Sequence, residues 1–222
     1  MGNKRDFHGR WRFELKEQEL AALERLNRRG PAKVFLGDMT DLFHTDVPYT
    51  FIDRIAQTMA HCTQLTFQIL TKRPGRINGR GFAYQDEDGY KWQTWPPNVW
   101  LGVSVESQKY APRLEVLARV PAKVRFVSVE PMLGPVDLTE WIGLGLGWYG
   151  ENANGGSEPD RACNWVICGG ESGPHARPMH PAWVRSLRDQ CQAAGVPFFF
   201  KQRGAWTWEG EEAELNVPMD WK

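Results

Sequence analysis

Six apolar runs in this chain pass directly into polar, mostly charged residues, and nothing else in the sequence limits the fold so strongly. Val34-Phe35-Leu36 runs toward Asp38 and Asp41, and Phe67-Gln68-Ile69-Leu70 into Thr71, Lys72 and Arg73. Val99 to Val103 runs into Ser104 and Glu106, and Val124 to Val129 into Glu130. Trp165-Val166-Ile167-Cys168 runs into Gly169, Gly170, Glu171 and Ser172, and Phe198-Phe199-Phe200 into Lys201 and Gln202. Short apolar runs bounded by turn residues read as buried strands.

Helical spacing separates these runs. Leu20, Leu23 and Leu26 mark a helix over 18–27; Phe51, Ile52, Ile55 and Met59 mark one over 48–61, which Thr45 or Asp46 is expected to cap. Leu114 and Leu117 mark 107–119; Val184, Leu187 and Cys191 mark 182–194, with Gly195 ending it. A short alternating stretch from Trp11 to Leu15 brings the candidate strands to seven. Strand–helix alternation implies a parallel sheet with helical crossovers. Seven strands fall one short of a closed eight-strand barrel. The expected fold is therefore α/β, a partial TIM-like (β/α) barrel forming a single domain over residues 1–222. Residues 73–98 and 143–163 read as loop insertions and 207–222 as a tail. In such folds the C-terminal strand ends hold the site.

Composition narrows the partners only slightly. Twenty-seven basic and 27 acidic residues give a formal net charge of zero, so no global field advertises a nucleic acid or a membrane. No apolar run approaches the length of a membrane span, and Met1 to Arg12 lacks the apolar core of a secretory signal. A cytoplasmic setting is the expectation. Cys62, Cys163, Cys168 and Cys191 are sparse and read as free buried thiols. Cys163 and Cys168 span a loop-to-strand step rather than a metal-binding turn, so no metal is expected on them.

The strand ends supply the candidate residues. Asp38, Asp41 and His44 lie within seven residues and could bind a metal or work as an acid–base pair; alternatively Asp41 caps a turn and His44 lies on the surface. Lys72 and Arg73 suit a phosphate or carboxylate, or pair with Glu106 or Glu130. Ser104 with Glu106 and Ser128 with Glu130 each send a hydroxyl and a carboxylate from a strand end. Gly169 and Gly170 let backbone approach a ligand closely, and Glu171, Ser172, His175 and Arg177 follow them. His180 reads as structural, at a helix start. Lys201, next to Gln202, is expected beside Glu171 or Glu130.

Together, Met39 to Pro48, Gln68 to Pro74, Asn98 to Glu106, Arg125 to Pro135, Gly169 to Gly173 and Pro197 to Gln202 resemble the phage and prophage "gene product 37/68" family of unknown function. That family looks like radical S-adenosylmethionine (SAM) proteins, distantly similar to spore photoproduct lyase. The resemblance implies a β/α barrel of the radical-SAM type and a Cys-x6-Cys-x2-Cys loop for a [4Fe–4S] cluster. Met1 to Arg10 contains no cysteine, so this chain alone is not expected to bind the cluster or cleave SAM reductively. It would be truncated, one half of a split protein, or degenerate at that end. An exposed sheet edge beside 11–15 would favour a cysteine-bearing partner chain or a homo-oligomer.

The leading expectation is a phage-encoded, radical-SAM-related protein of the bacterial cytoplasm, acting on a nucleotide or nucleic acid and retaining a site for SAM. Glu130, Glu171 and Lys201 would be catalytic. Asp38, Asp41, His44, Lys72, Arg73, Ser104, Glu106, Gly169, Gly170, Ser172, His175, Arg177 and Gln202 would bind substrate or cofactor. The rival is a non-catalytic accessory protein that binds a host protein or nucleic acid.

Overall fold

A computed structural model describes residues 4–5, 11–12, 17–37, 40–77, 82–86, 89–143 and 161–205. Its elements are β1 (Lys4–Arg5), β2 (Trp11–Arg12), α1 (Glu17–Asn27), β3 (Ala32–Leu36), α2 (Tyr49–His61), β4 (Leu65–Thr71), β5 (Phe82–Asp86), β6 (Gly89–Gln93), β7 (Val99–Ser104), α3 (Arg113–Ala118), β8 (Val124–Val129), α4 (Thr139–Ile142), β9 (Trp165–Gly169), α5 (Pro181–Ala194) and β10 (Phe198–Gln202). Six strands form one all-parallel sheet in the order β10-β9-β8-β7-β4-β3. This is the α/β arrangement expected of a partial barrel, with six strands rather than seven. Near Trp11, β2 is a strand of a separate two-stranded antiparallel sheet with β1 and not of the main sheet, and residues 13–15 lie outside the described residues. The edges of the main sheet are therefore β3 and β10, not a strand at 11–15.

The chain divides into two compact units, Met1–Gly102 with Val120–Val124, and Val103–Arg119 with Arg125–Lys222. In the first, β3 pairs with β4 from Ala32↔Leu65 to Leu36↔Ile69. On β4, Leu65, Phe67, Ile69 and Thr71 are buried while Thr66, Gln68 and Leu70 are half-buried. Helix α2 buries the stripe Phe51, Ile52, Ile55, Ala56 and Met59, as its 3.6-residue period requires. Neither Thr45 nor Asp46 caps it. Pro48 precedes its first turn without a side-chain cap, and the Pro48 carbonyl accepts from the Phe51 and Ile52 amides. Its other end is closed from a distance. Asn98 Nδ2 lies 2.9–3.1 Å from the carbonyls of Met59 and Cys62 at that end of the helix and of Leu65 at the start of β4, its two N–H groups shared among the three. The 73–98 excursion is more regular than its composition suggests, since β5 and β6 form an antiparallel hairpin.

In the second unit β9 lies between β8 and β10. Residues 125–129 and 166–169 are buried without alternation, the pattern of parallel strands covered on both faces. Phe126, fully buried, stacks on Trp165 at 5.5 Å, and Trp165 on Phe199 at 6.4 Å. The segment expected to be helical over 107–119 is a short 3₁₀ turn followed by α3. Helix α5 buries Val184, Leu187 and Cys191 as expected, and Gly195 ends it at φ +62°. His180 Nδ1 accepts from the Ala182 amide at 3.1 Å, which makes His180 the N-cap. Residues 144–160 and 206–222, which include most of the second excursion and the tail, lie outside the described residues.

Candidate ligand site at the strand ends

In the first unit Asp41 is the centre. Its Oδ1 accepts from Thr71 Oγ1 at 2.7 Å and from the Phe43 amide at 2.9 Å. Its Oδ2 accepts from Arg73 Nη1 at 2.8 Å and from the Lys72 amide at 3.2 Å. A carboxylate has about four acceptor positions, and four donors fill these. Asp41 therefore pins the loop after β3 to the end of β4, rather than standing ready as a base. The turn role and the ion-pair role both hold, but the partner of Arg73 is Asp41, not Glu106 or Glu130. His44 Nδ1 accepts from the Asp46 amide at 3.3 Å and lies 3.6 Å from an Asp46 carboxylate oxygen. Lys72 is exposed. Asp38 lies outside the described residues.

In the second unit Glu106 is buried and pairs with Arg113 Nη1 at 2.9 Å, and the same nitrogen donates to the Ser104 carbonyl at 2.6 Å. Arg113 also stacks on Tyr110 at 4.2 Å. A charge committed this way fixes the chain after β7. Its only mark in the sequence is a basic residue seven positions on, at the start of a helix.

Glu130 is placed differently. Lys201 Nζ sits 3.1 Å from its carboxylate, and Gln202 Nε2 donates to its Oε1 at 3.1 Å and to the Gly170 carbonyl at 3.2 Å. Adjacent residues on a regular strand point to opposite faces. Lys201 and Gln202 reach one carboxylate because the ladder is bulged: Phe200 pairs with Cys168 and Gln202 with Gly169, leaving Lys201 as the extra residue. Bulges re-aim side chains in this way, and they are frequent beside active sites. Gly169 makes room for the carboxylate, since a Cβ there would lie 3.0 Å from Glu130 Oε1. At Gly170 a Cβ would lie 2.1 Å from the Arg203 carbonyl oxygen, so only glycine lets the two chain segments meet. The Glu130–Pro131 peptide is cis.

The loop beyond is closed by a clasp. Arg177 Nε and Nη2 donate to the two oxygens of Glu171 at 2.8 and 2.9 Å, and the Arg177 amide adds a third bond at 2.9 Å. Ser172 and His175 are exposed within that loop. The Arg177 side-chain bonds, helped by its amide, lower the Glu171 carboxyl from its ordinary 4.5 to about 2. A folded value below the ordinary one means the clasp stabilises the loop fully above the ordinary range. That contribution is lost as pH falls through about 2. A carbon-13 titration of the Glu171 carboxyl is expected to show a midpoint near 2 that Arg177→Gln raises toward the ordinary value. A wild-type midpoint already in the ordinary range would mean that the clasp does not form in solution.

The strand-end candidates thus separate. Glu130, Gly169, Gly170, Lys201 and Gln202 come together, with Glu171 and Arg177 joined to each other on the same chain segment. Asp41, Thr71 and Arg73 form a cluster of their own. Among the described residues no group of three or more His, Cys, Asp and Glu side chains is placed to hold a metal ion. Among them, too, no helix is long and apolar enough to cross a membrane.

The family described as "Protein of unknown function (DUF5131)" matches residues 2–217. The chain belongs to this family. No match was found among curated proteins, and none among solved structures. The DUF5131 description names no chemistry, so the cysteines have to be judged on their surroundings. All four are free and buried. Burial pushes the thiols of Cys163 and Cys191 up to about 12 and raises those of Cys62 and Cys168. Cys163 Sγ donates to the Trp165 carbonyl at 3.4 Å, and Cys168 Sγ lies 3.6 Å from Met132 Sδ. Iron–sulfur ligation needs several thiolates converging on one site. The cysteines of this DUF5131 member do not fit such a cluster.

Proposed function

We propose that this chain is a radical-SAM-related protein of phage or prophage origin whose Glu130–Lys201–Gln202 cluster binds a nucleoside-bearing ligand: SAM, a nucleotide or part of a nucleic acid. The observation that carries this reading is the bulge that turns Lys201 and Gln202 onto Glu130. The strand ladder gains nothing from the extra residue, whereas a ligand gains two adjacent polar groups. Lys201 is half-exposed at 52%, which leaves ammonium N–H groups facing solvent. Gln202 Oε1 accepts no hydrogen bond among the described residues. A donor beside an acceptor matches a nucleobase edge or a carboxamide. The local charges cancel, Glu130 with Lys201 and Glu171 with Arg177, which suits a neutral or zwitterionic ligand better than a bare polyanion. In this reading Lys201 and Gln202 touch the ligand and Glu130 orients them.

The buried cysteines favour a second reading, in which the chain binds a host protein or nucleic acid without catalysis of its own. Calorimetry on the purified chain with SAM and with a nucleoside triphosphate separates the two, with iron and labile sulfide assayed on an anaerobic preparation. Binding without iron, weakened at least tenfold by Lys201→Ala, is the expected result. Absence of binding by every nucleoside probe would leave the accessory-protein reading. Stoichiometric iron would overturn the assignment of the cysteines.

A further inference from the structure

The first unit carries an aromatic platform that the cluster around Glu130 does not use. Tyr49, the first residue of α2, is among the most exposed large side chains described, at 47%. Its ring is nevertheless held. The Arg76 guanidinium stacks on it with Cζ 4.3 Å from the ring centroid. Arg76 is itself fixed, because Nη1 donates to the Thr45 carbonyl at 3.2 Å and Nη2 to the Val47 carbonyl at 2.6 Å. Asp41 ties the same loop to the end of β4 through Thr71, Lys72 and Arg73. Loop 41–49 and segment 71–77 are thus joined at both ends, by a carboxylate and by a guanidinium. One face of the tyrosine is covered by a cation, and 47% of the residue remains exposed. Lys72, exposed, and Arg73, with 38% of its side chain exposed, belong to the same segment as Arg76. The acids of the loop are Asp41, compensated by Arg73, and the exposed Asp46, which lies beside His44.

We infer that this ledge is a docking surface for single-stranded nucleic acid, with a base stacked on the exposed part of Tyr49 and the neighbouring phosphates drawn to Lys72 and Arg73. A ring fixed before binding loses little freedom when a base lands on it. Stacking on an aromatic face is sequence-tolerant and requires an unpaired base, which a duplex does not present. Cations spaced along one short segment suit a phosphate backbone rather than a single anion. The proposal rests on the nucleotide or nucleic-acid reading above, but it uses residues of the first unit only.

Fluorescence anisotropy with fluorescein-labelled single-stranded DNA and RNA of about 12 nucleotides, within the usual site size, tests it. Tyr49→Ala is expected to weaken binding about tenfold, the range of one lost base stack. Tyr49→Phe, which keeps the face, is expected to stay within about twofold of wild type. Lys72→Gln should weaken all sequences alike and lower the salt slope by about 0.7, one phosphate contact on a single strand. The corresponding duplex should bind more weakly than either strand. Tyr49 is exposed, so its variants should keep the wild-type melting temperature. Equal binding by Tyr49→Ala and wild type, a duplex bound as tightly as a single strand, or no binding by wild type at low salt would each overturn the inference. Nucleoside calorimetry repeated on Tyr49→Ala keeps this result apart from the proposed function: failure at the Glu130 cluster would appear there, and failure at the ledge only in the oligonucleotide assay.

Discussion

Gly170→Ala is expected to cost about 3 kcal/mol, the upper end for forcing extra volume into packed structure. The added carbon would meet the Arg203 carbonyl oxygen at 2.1 Å, its carbonyl carbon at 2.6 Å and the Gly204 Cα at 2.9 Å. These are backbone atoms, so no side chain can swing away. The segments are also bonded to each other, since the Gly170 amide donates to the Gln202 carbonyl at 2.9 Å and the Ala205 amide to the Glu171 carbonyl at 2.8 Å. Gly204 adds a constraint of its own, at φ +92° with Glu171 backbone against it. Relieving the clash means moving the end of β10, where Lys201 and Gln202 are aimed. Urea unfolding monitored by tryptophan fluorescence gives the cost. Gly75→Ala, where nothing lies within 4 Å of the added carbon, is the control and should change stability by no more than about 0.5 kcal/mol. Equal midpoints for the two variants would show that the two segments do not meet as described.

Phe126→Ala is expected to cost about 3–5 kcal/mol, because a fully buried ring leaves a cavity that its surroundings fill only in part. The loss falls on the β8–β9 pairing, where Phe126 lies opposite Trp165 and stacks on it. Phe126→Leu keeps an apolar side chain there and should cost much less. The midpoint of denaturant unfolding reads both. Since typical domains hold about 5–15 kcal/mol in reserve, the alanine variant should be close to its unfolding limit. A loss under about 1 kcal/mol would mean that the aromatic stack is not part of the core.

Two strands of the main sheet were legible because burial on both faces leaves a mostly apolar run: Trp165 to Cys168 is unbroken, and Val124 to Val129 is interrupted only by the buried Arg125 and Ser128. The stretch at Trp11 misled because alternation reports a half-buried strand without saying which sheet it joins. The loop cap was misread for a related reason: Thr45 and Asp46 are good capping types, but Pro48 stands between them and the helix and ends the approach in extended backbone. Within the candidate site, the cost of leaving a strand-end lysine unpaired gave Lys201 a carboxylate partner but left Glu171 and Glu130 both open, and the partner is Glu130. The convergence of Gln202 did not follow, because period-two alternation sends it to the opposite face and a bulge leaves no mark in residue types. Asp41 could be read as a turn residue from local spacing. Its bonds to Thr71 and Arg73 span 30 and 32 residues, and only the parallel pairing of β3 with β4 creates them. Tyr49 carried no signal at all, since an aromatic at a helix start usually points inward.

The fate of the four cysteines has a practical side. Their thiols are shut away from water and held protonated at neutral pH, so maleimides and similar electrophiles should find almost nothing to alkylate in the folded protein. The native chain is in effect already prepared for single-site labelling. A cysteine introduced at the exposed position Ser172 would be the one fast-reacting thiol, and a dye attached there would report on the Glu171–Arg177 loop without any native cysteine having to be removed.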